Sequence, residues 1–452
     1  MTAEGRGTYG RGAALLSALI GVTGLLTYAF HSLAAHALGR DDYGVVAVLW
    51  AAVFLVASVI YRPVEQLLSR TLAERRAQGR PVGAALRVGA TIQGGLVIVF
   101  VAVALLARDP IEDELFSGSA TLYWCLVAAV SFYAASYFAR GFLAGEQRFG
   151  LYGGLVLMES ASRLVFAVLL IAGVLDGRNA AGVAIAAAPL LSLFVVPWAL
   201  GRHVRRRAAP AARGDTGEPE MTLAHGLGFA SAVLVIMVSE QAILNSGVLI
   251  VKADTGDDAL AALIFAVLMI ARAPLQLFQA VSTTLLPHLT RLLVREGEGH
   301  AGDFGRSVRL TVAACLAFGG ATVLGVLAVG PPVMRLLFGS EFDYDRLGLA
   351  LVAAGMGLYL SATTVNQAVL AQGRARLAAA SWATAAVFFV GFLLLADMEE
   401  VREVEVAFLA TAGLLSVLLY LAYRRPLAGE RRIAPGSTEE LEAILAAADE
   451  GS

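Results

Sequence analysis

Stretches of about 20 apolar residues recur along this chain and are separated by short polar segments. A helix that crosses the hydrocarbon core of a bilayer needs about 20 such residues. The stretches are Ala13 to Gly39, Tyr43 to Tyr61, Val88 to Ala107, Thr121 to Ala144, Gly153 to Leu175, Ala180 to Leu200, Leu223 to Val251, Ala259 to Leu286, Val308 to Val329, Leu347 to Leu370, Leu377 to Leu395 and Val406 to Tyr423. No segment shows the two-residue alternation of a membrane β-strand. The pattern predicts an all-α polytopic membrane protein with about twelve transmembrane helices.

The polar segments between these helices alternate in charge. Of the 34 basic residues, only Arg40, Arg108, Arg178, Lys252, Arg335, Arg346 and Arg402 fall in odd-numbered loops. Those loops carry acidic clusters instead, such as the run from Glu112 to Glu114. Because Lys and Arg are retained on the cytoplasmic side of a bilayer, we expect cytoplasmic termini and a place in a bacterial plasma membrane. We call the two ends of the helix bundle the basic end and the acidic end.

The amino-acid composition agrees with a polytopic membrane protein and bears on which ligands and partners it could have. The 452 residues are 58% hydrophobic with a mean hydropathy of +0.73, well outside the range of soluble domains. A net charge of -2 gives no indication of nucleic acid binding. Cys125 and Cys315 lie in apolar stretches without a spacing suited to metal or redox work. We therefore expect no cofactor, no metal site and no nucleic acid partner.

The longest hydrophilic segment between helices, Arg202 to Glu220, divides the chain into two sets of six helices. The run Leu143 to Arg148 resembles Leu370 to Arg376, and Arg62-Pro63 is echoed by Arg272 and Pro274. An even number of crossings gives both halves the same orientation, so we predict two six-helix bundles related by a parallel pseudo-twofold repeat. The predicted units are a cytoplasmic tail (1–12), an N-terminal lobe (13–201), a cytoplasmic linker (202–222), a C-terminal lobe (223–423) and a second cytoplasmic tail (424–452).

Polar side chains form stripes on the first, second, seventh and eighth helices. Polar groups inside a membrane are costly, and they usually face a cavity or a partner. The stripes therefore predict a hydrated surface shared between the halves. The candidate substrate-binding residues on it and on neighbouring helices are Arg62, Gln66, Arg140, Arg163, Arg272, Gln276, Gln279 and Asn245, and the candidate coupling-ion residues are His31, Glu159 and Glu240.

Several of these residues have a plainer interpretation. Arg62 lies close enough to the cytoplasmic end to act as a positive-inside anchor. Glu159 and Arg163 are four residues apart, so they can neutralise each other. Glu240 is consistent with a protonated acid, with an ion pair to Arg272 or with a coupling-ion site. His31 is consistent with a proton carrier or with a buried, hydrogen-bonded core histidine.

Two runs carry a resemblance to a known family. The run Leu38 to Gly44 between the first two helices and the run Arg140 to Phe149 after the fourth are similar to the polysaccharide flippase branch of the multidrug/oligosaccharidyl-lipid/polysaccharide exporter superfamily. The twelve-helix layout extends the resemblance over most of the chain. It implies a V-shaped, non-enzymatic transporter whose lobes alternate between inward and outward openings. Its substrate would be a polyprenyl-diphosphate-linked oligosaccharide, flipped from the cytoplasmic to the outer leaflet, with polysaccharide polymerase and glycosyltransferases as partners in polysaccharide biosynthesis.

Other functions stay open at this point. A drug or cation antiporter of the same superfamily would use Glu159 or Glu240 for coupling, whereas the intramembrane arginines favour an anionic substrate. The peptidoglycan-precursor flippase branch usually has two additional helices. A membrane glycosyltransferase would use Asp41 and Asp42, but their loop is too short to hold a sugar acceptor. A scaffold that has lost transport would not need the intramembrane arginines.

Overall fold

The structure, a computed structural model, describes residues 3–79, 81–195, 223–270, 272 and 303–425 of the chain. The principal helices are α1 (Ala3–Ala77), α2 (Gly83–Leu106), α3 (Ala120–Gly145), α4 (Phe149–Ile171), α5 (Gly177–Ser192), α6 (Leu223–Thr255), α7 (Asp258–Ile270), α8 (Asp303–Phe338), α9 (Arg346–Ala371), α10 (Ala375–Leu395) and α11 (Glu400–Arg424). Short helical turns follow α2, at Arg108–Pro110 and Ile111–Leu115. No strand occurs within the described ranges.

The predicted all-α membrane fold is confirmed. Ten helices in the described part are long and apolar enough to cross a membrane, and the first of them contains two of the predicted crossings. The short helix α7 covers the start of the eighth crossing, most of which lies outside the described residues. The predicted linker and the C-terminal tail beyond residue 425 also lie outside them. The boundaries between the predicted units therefore stay a prediction.

Helix α1 is a hairpin of two arms that meet at Gly39. A straight α-helix of 75 residues would be about 110 Å long, several times the thickness of a hydrocarbon core. The chain reverses because Gly39 adopts non-helical angles, φ 73° and ψ 177°, in a region that glycine enters without steric cost. The arms lie side by side, since the rings of Phe30 and Trp50 stack with centroids 5.9 Å apart.

The second arm continues well past Tyr61, where the apolar pattern alone predicts its end. Val64, Leu68 and Leu72 follow one another at intervals of four and are all buried. Leu68 and Leu72 pack against the end of α3, where Gly141 and Gly145 let the two helices approach closely. This extension is an ordinary amphipathic helix that buries one face against protein.

Helices of each half pack mainly against one another. In the first half, α1 contacts α3, α4 and α5, and in the second half α9 contacts α8 and α11 while α6 contacts α10. The halves meet chiefly where α1 lies against α6. The outer helices α2 and α8 are the least buried spans and direct side chains such as Ile98 and Leu324 outward, 71% and 69% exposed. Apolar side chains on the outside and polar ones between the halves are what a bilayer requires.

Candidate functional site

A cavity of about 350 Å³ lies between the two halves. Its walls come from both arms of α1, from α3, α4, α6 and α7, and from Arg272 just beyond α7. Many lining side chains are polar: Thr23, Thr27, Ser58, Arg62, Glu65, Arg140, Glu159, Ser160, Arg163, Gln241, Asn245 and Arg272. Four of these are arginines and two are glutamates, so the lining carries an excess of positive charge.

Glu159 is the centre of the ion-pair network on the first-half wall. Arg163 donates to one of its carboxylate oxygens and Arg140 donates to the other. Tyr133 adds a hydrogen bond of 2.6 Å to the oxygen that Arg163 contacts, and Arg163 also donates to the Tyr133 hydroxyl over 2.9 Å. One carboxylate thus serves two guanidinium groups, which leaves the network with a net positive charge.

Aromatic rings hold both guanidinium groups of this network in place. The guanidinium carbon of Arg163 lies 4.8 Å from the centre of the Trp50 ring, and that of Arg140 lies 4.8 Å from the centre of the Tyr137 ring. Both arginines keep a buried Nε that has no hydrogen-bond partner among the described residues. Each guanidinium therefore keeps one donor that no described residue satisfies.

Arg272 lies on the opposite wall and has much weaker compensation. Its Nη1 donates to the Oδ1 of Asn245 over 3.4 Å, a long hydrogen bond to a neutral amide. Its Nε is buried without a hydrogen-bond partner, and no described carboxylate forms an ion pair with it. Of the four cavity arginines, Arg272 is paired with the least negative charge.

Arg62 and Glu65 line the cavity one helical turn apart on the second arm of α1. Glu65 accepts a hydrogen bond of 2.9 Å from the hydroxyl of Tyr152 on α4. The guanidinium of Arg62 experiences the negative charges of Glu65 and Glu240. This side of the cavity is therefore closer to neutral than the Arg272 wall.

Aromatic side chains close the cavity toward the acidic end. His31 and Tyr43 from the two arms of α1 meet Phe265 from α7, with ring centres 4.9 Å apart for His31 and Phe265. Tyr28 adds a hydrogen bond of 2.7 Å to the carbonyl oxygen of Met269, again between the halves. These contacts join the halves directly above the cavity.

Polar contacts at the acidic end reinforce this closure. The Ser117 hydroxyl donates to Asp258 over 2.9 Å, and the buried Lys252 ammonium lies 2.7 Å from the same carboxylate. Arg40 donates through its backbone to Glu341 and through its side chain to the carbonyl of Ala259, both over 3.0 Å. The halves are therefore in contact at the acidic end.

The structure brings together many of the residues that the sequence singles out. Arg62, Arg140, Arg163, Arg272, Asn245 and Glu159 line the cavity, and His31 is buried above it. Gln66 is exposed and does not line the cavity. Glu240 lies outside the lining and accepts a hydrogen bond of 3.3 Å from Tyr359. Gln276 and Gln279 lie outside the described residues.

Sequence reasoning missed the aromatic part of the site. Tyr133, Tyr137 and Arg140 follow one another at spacings of four and three, which places them on one face of α3. Tyr28, Tyr137 and Tyr152 all line the cavity. When tyrosine is counted among the hydrophobic residues, a stripe of its hydroxyl groups cannot be distinguished from the face of an ordinary membrane helix.

Comparison with known proteins shows what this fold is. An inward-facing structure of a multidrug resistance MATE family transporter of the MOP superfamily matches with a TM-score of 0.68 and 14% identity, over 91% of this chain and 97% of that one. The lipid II flippase MurJ in its inward closed conformation matches with a TM-score of 0.67 and 14% identity, over 96% and 93%. The protein is thus an integral membrane protein with the fold of the MOP-superfamily transporters. Both neighbours are named as membrane transport proteins, one a multidrug transporter and the other a lipid flippase.

The relatives found by sequence do not indicate a function for this chain. No protein-family model matches the chain. An uncharacterized protein of Mycobacterium tuberculosis is 27% identical over 401 residues, which is 85% of each chain. A second uncharacterized protein of that organism is 26% identical over 439 residues, 94% of this chain and 95% of that one. The names of these relatives therefore indicate no substrate.

Proposed function

We propose that this protein is a flippase that moves a polyprenyl-diphosphate-linked oligosaccharide from the cytoplasmic to the outer leaflet by alternating access. The observation that carries the proposal is the positive charge of the cavity, and above all Arg272. A diphosphate cannot cross hydrocarbon without cationic partners, and guanidinium groups match its oxygens in geometry and charge. A neutral or cationic substrate would gain nothing from a partly buried arginine that has no carboxylate partner among the described residues.

The rest of the lining suits the sugar part of such a substrate. Asn245, Gln241, Thr23 and Thr27 offer amide and hydroxyl groups. Neutral groups of this kind recognise sugar hydroxyls without binding the substrate so strongly that it cannot leave. The polyprenyl tail would remain in the bilayer and slide along the opening between the halves. The partners that this activity requires are a polysaccharide polymerase and glycosyltransferases. The flippase itself would lie in the plasma membrane with both of its termini in the cytoplasm.

The test is transport by the purified protein in liposomes that contain a fluorescent polyprenyl-diphosphate oligosaccharide. A membrane-impermeant quencher or a glycan-binding lectin reports which leaflet holds the head group. We expect Arg272→Ala to slow flipping at least tenfold, since one charge-assisted hydrogen bond contributes about 1.5 to 3 kcal/mol. Arg272→Lys keeps the charge but not the fork of donors, and it should recover part of the rate.

Arg335→Ala is the matched control, because Arg335 is a half-exposed arginine at the acidic end whose nearest carboxylate, Asp343, lies 4.0 Å away. It should flip the lipid at the wild-type rate. Equal rates for Arg272→Ala and wild type would refute the role of the cavity charge. The second candidate function, extrusion of drugs or cations, is favoured by the likeness to multidrug transporters. This function predicts that cation efflux can be detected and that Arg272→Ala leaves the rate of efflux unchanged.

A further inference from the structure

His31 is a buried imidazole with one nitrogen atom unused. It lies on the first arm of α1 and has an exposed fraction of 0%. Its Nδ1 lies 3.0 Å from the hydroxyl of Tyr43, so one of these two groups donates to the other. Its Nε2 is buried and has no hydrogen-bond partner among the described residues. A buried polar atom without a partner is costly, and such atoms often mark a functional site.

The pocket around His31 is built by both halves of the protein. The Trp50 ring from the second arm of α1 lies with its centre 4.4 Å from that of the imidazole, at an interplanar angle of 80°. The Phe265 ring from α7 lies 4.9 Å away on another side. Because Phe265 belongs to the second half, the pocket is complete only while the halves touch at the acidic end. Parting the halves there would expose the imidazole to water.

The charges around His31 disfavour an imidazolium in the closed pocket. Tyr43, on the same hairpin, offers only a neutral hydroxyl, and α7 offers the apolar Phe265. The charged groups that face His31 from α4 and from beyond α7 are the cations Arg163 and Arg272. The one carboxylate nearby in this network, Glu159, already serves two arginines. A proton on His31 would thus lack both water and a counter-charge.

We propose that His31 is a proton-binding site of this transporter, filled from the acidic end when the halves part there and emptied when they close. In water an imidazole takes up a proton with a pKa of about 6.5, so the opened site can be occupied near neutral pH. As the halves close, the imidazolium loses its proton to the water that leaves the pocket, because the closed pocket offers neither water nor a counter-charge.

This inference rests on the alternating access of the proposed function but not on the substrate. Among the coupling-ion candidates we choose His31, because Glu159 and Glu240 lie in different surroundings. Glu159 is held by two guanidinium groups, and Glu240 lies outside the cavity lining beside Tyr359. Neither of these carboxylates lies in a pocket that both halves must close.

The experiment measures the opening of the acidic end against pH in the full chain, without any substrate. Spin labels on Asp113→Cys and Asp343→Cys, both exposed and on opposite halves, report the open and closed populations by electron paramagnetic resonance. The background carries Cys125→Ala and Cys315→Ala. We expect the ratio of open to closed protein to rise as the pH falls, by up to about tenfold per pH unit for a single proton.

His31→Gln should make the ratio independent of pH, whereas His36→Gln should leave the wild-type response intact. His36 lies on the same arm but is exposed, and within the described part of the chain its hydrogen-bond partner is the Ser32 carbonyl at 2.8 Å. A wild-type ratio that does not change with pH would overturn the proposal, and so would a His31→Gln protein that keeps the response.

A second measurement needs no substitution at position 31. Diethyl pyrocarbonate modifies accessible neutral histidines, and mass spectrometry reads each site separately. In protein whose acidic end is locked by a disulfide between Ser117→Cys and Asp258→Cys, His31 should be unreactive and His36 reactive. Reduction should expose His31. Modification of His31 in the locked protein would overturn the proposal. Both measurements are made without a substrate. A failure of the lipid-flipping assay therefore does not contradict this proposal, and a failure of these measurements does not contradict lipid flipping.

Discussion

At the scale of single residues, the cavity arginines differ in how much nearby negative charge balances each guanidinium. Arg140 and Arg163 share one carboxylate and lie over aromatic rings, whereas among the described residues Arg272 donates a hydrogen bond only to the amide of Asn245. Removing one partner of a buried ion pair leaves the other charge without compensation, at a cost well above the net contribution of the pair. The same residue type therefore stabilises the wall in one place and is available to an anion in another.

Glu159→Gln tests the structural part of this division. It leaves two buried guanidinium groups without a counter-charge, and we expect the free energy of unfolding to fall by about 3 kcal/mol. The measurement is the thermal unfolding midpoint, Tm, of the protein in detergent. The control is Glu74→Gln, which breaks a pair with Arg70 whose side chains are 47% and 52% exposed. Exposed pairs contribute about 0 to 1 kcal/mol, so its Tm should stay near that of the wild type. Similar losses in the two variants would show that the Glu159 network is not buried as described.

At the scale of helices, the close approach of α1 and α7 decides how the acidic end closes. A Cβ atom added at Gly44 would lie 1.8 Å from the carbonyl oxygen of Asp258, the first residue of α7. Backbone atoms cannot yield as the end of a flexible side chain can. A glycine at this position of the second arm therefore lets α7 pack against α1 and bring Phe265 to His31.

Gly44→Ala should accordingly favour the conformation that is open at the acidic end. A cysteine at Ala262, which is fully buried on α7, would then react faster with a membrane-impermeant maleimide. The matched control is Gly21→Ala in the first arm, where a Cβ atom meets nothing within 4 Å. It should leave the labelling rate unchanged. Slow labelling in the Gly44→Ala protein would mean that this contact does not limit closure.

At the scale of the whole molecule, the proposed alternating access requires that the contacts at the acidic end break and form again. The hydrogen bond between Ser117 and Asp258 joins a loop of the first half to the start of α7 in the second. The aromatic cluster and the contacts of Arg40 lie at the same end. Together they hold the structure in a conformation whose halves meet above the cavity.

A disulfide between cysteines at Ser117 and Asp258 should stop lipid flipping, and reduction should restore it. The control pair is Ser119 and Asn179, whose side chains lie 3.4 Å apart and both belong to the first half. A disulfide within one half constrains no relative movement of the halves, so flipping should continue. Sustained transport with the first disulfide formed would contradict alternating access at this end.

The sequence is informative about helices and their polar faces because both are local properties. Apolar length places the crossings, and intervals of three and four residues place Arg62 and Glu65 on one face. Two features are not local. The pairing of Arg140 with Glu159 depends on how α3 packs against α4, and the exposure of Gln66 depends on which side of α1 meets its neighbours. Such tertiary contacts leave no periodic signal in the chain.

The hairpin turn at Gly39 has a consequence for biosynthesis. Its two arms are joined without an intervening loop, so they must enter the membrane together during translation as one helical hairpin. The first arm carries Thr23, Thr27 and His31, while the second contains the continuous apolar run from Val45 to Val53. The insertion of the polar arm thus depends on the hydrophobicity of its neighbour, and charged substitutions in the second arm would impair integration of both.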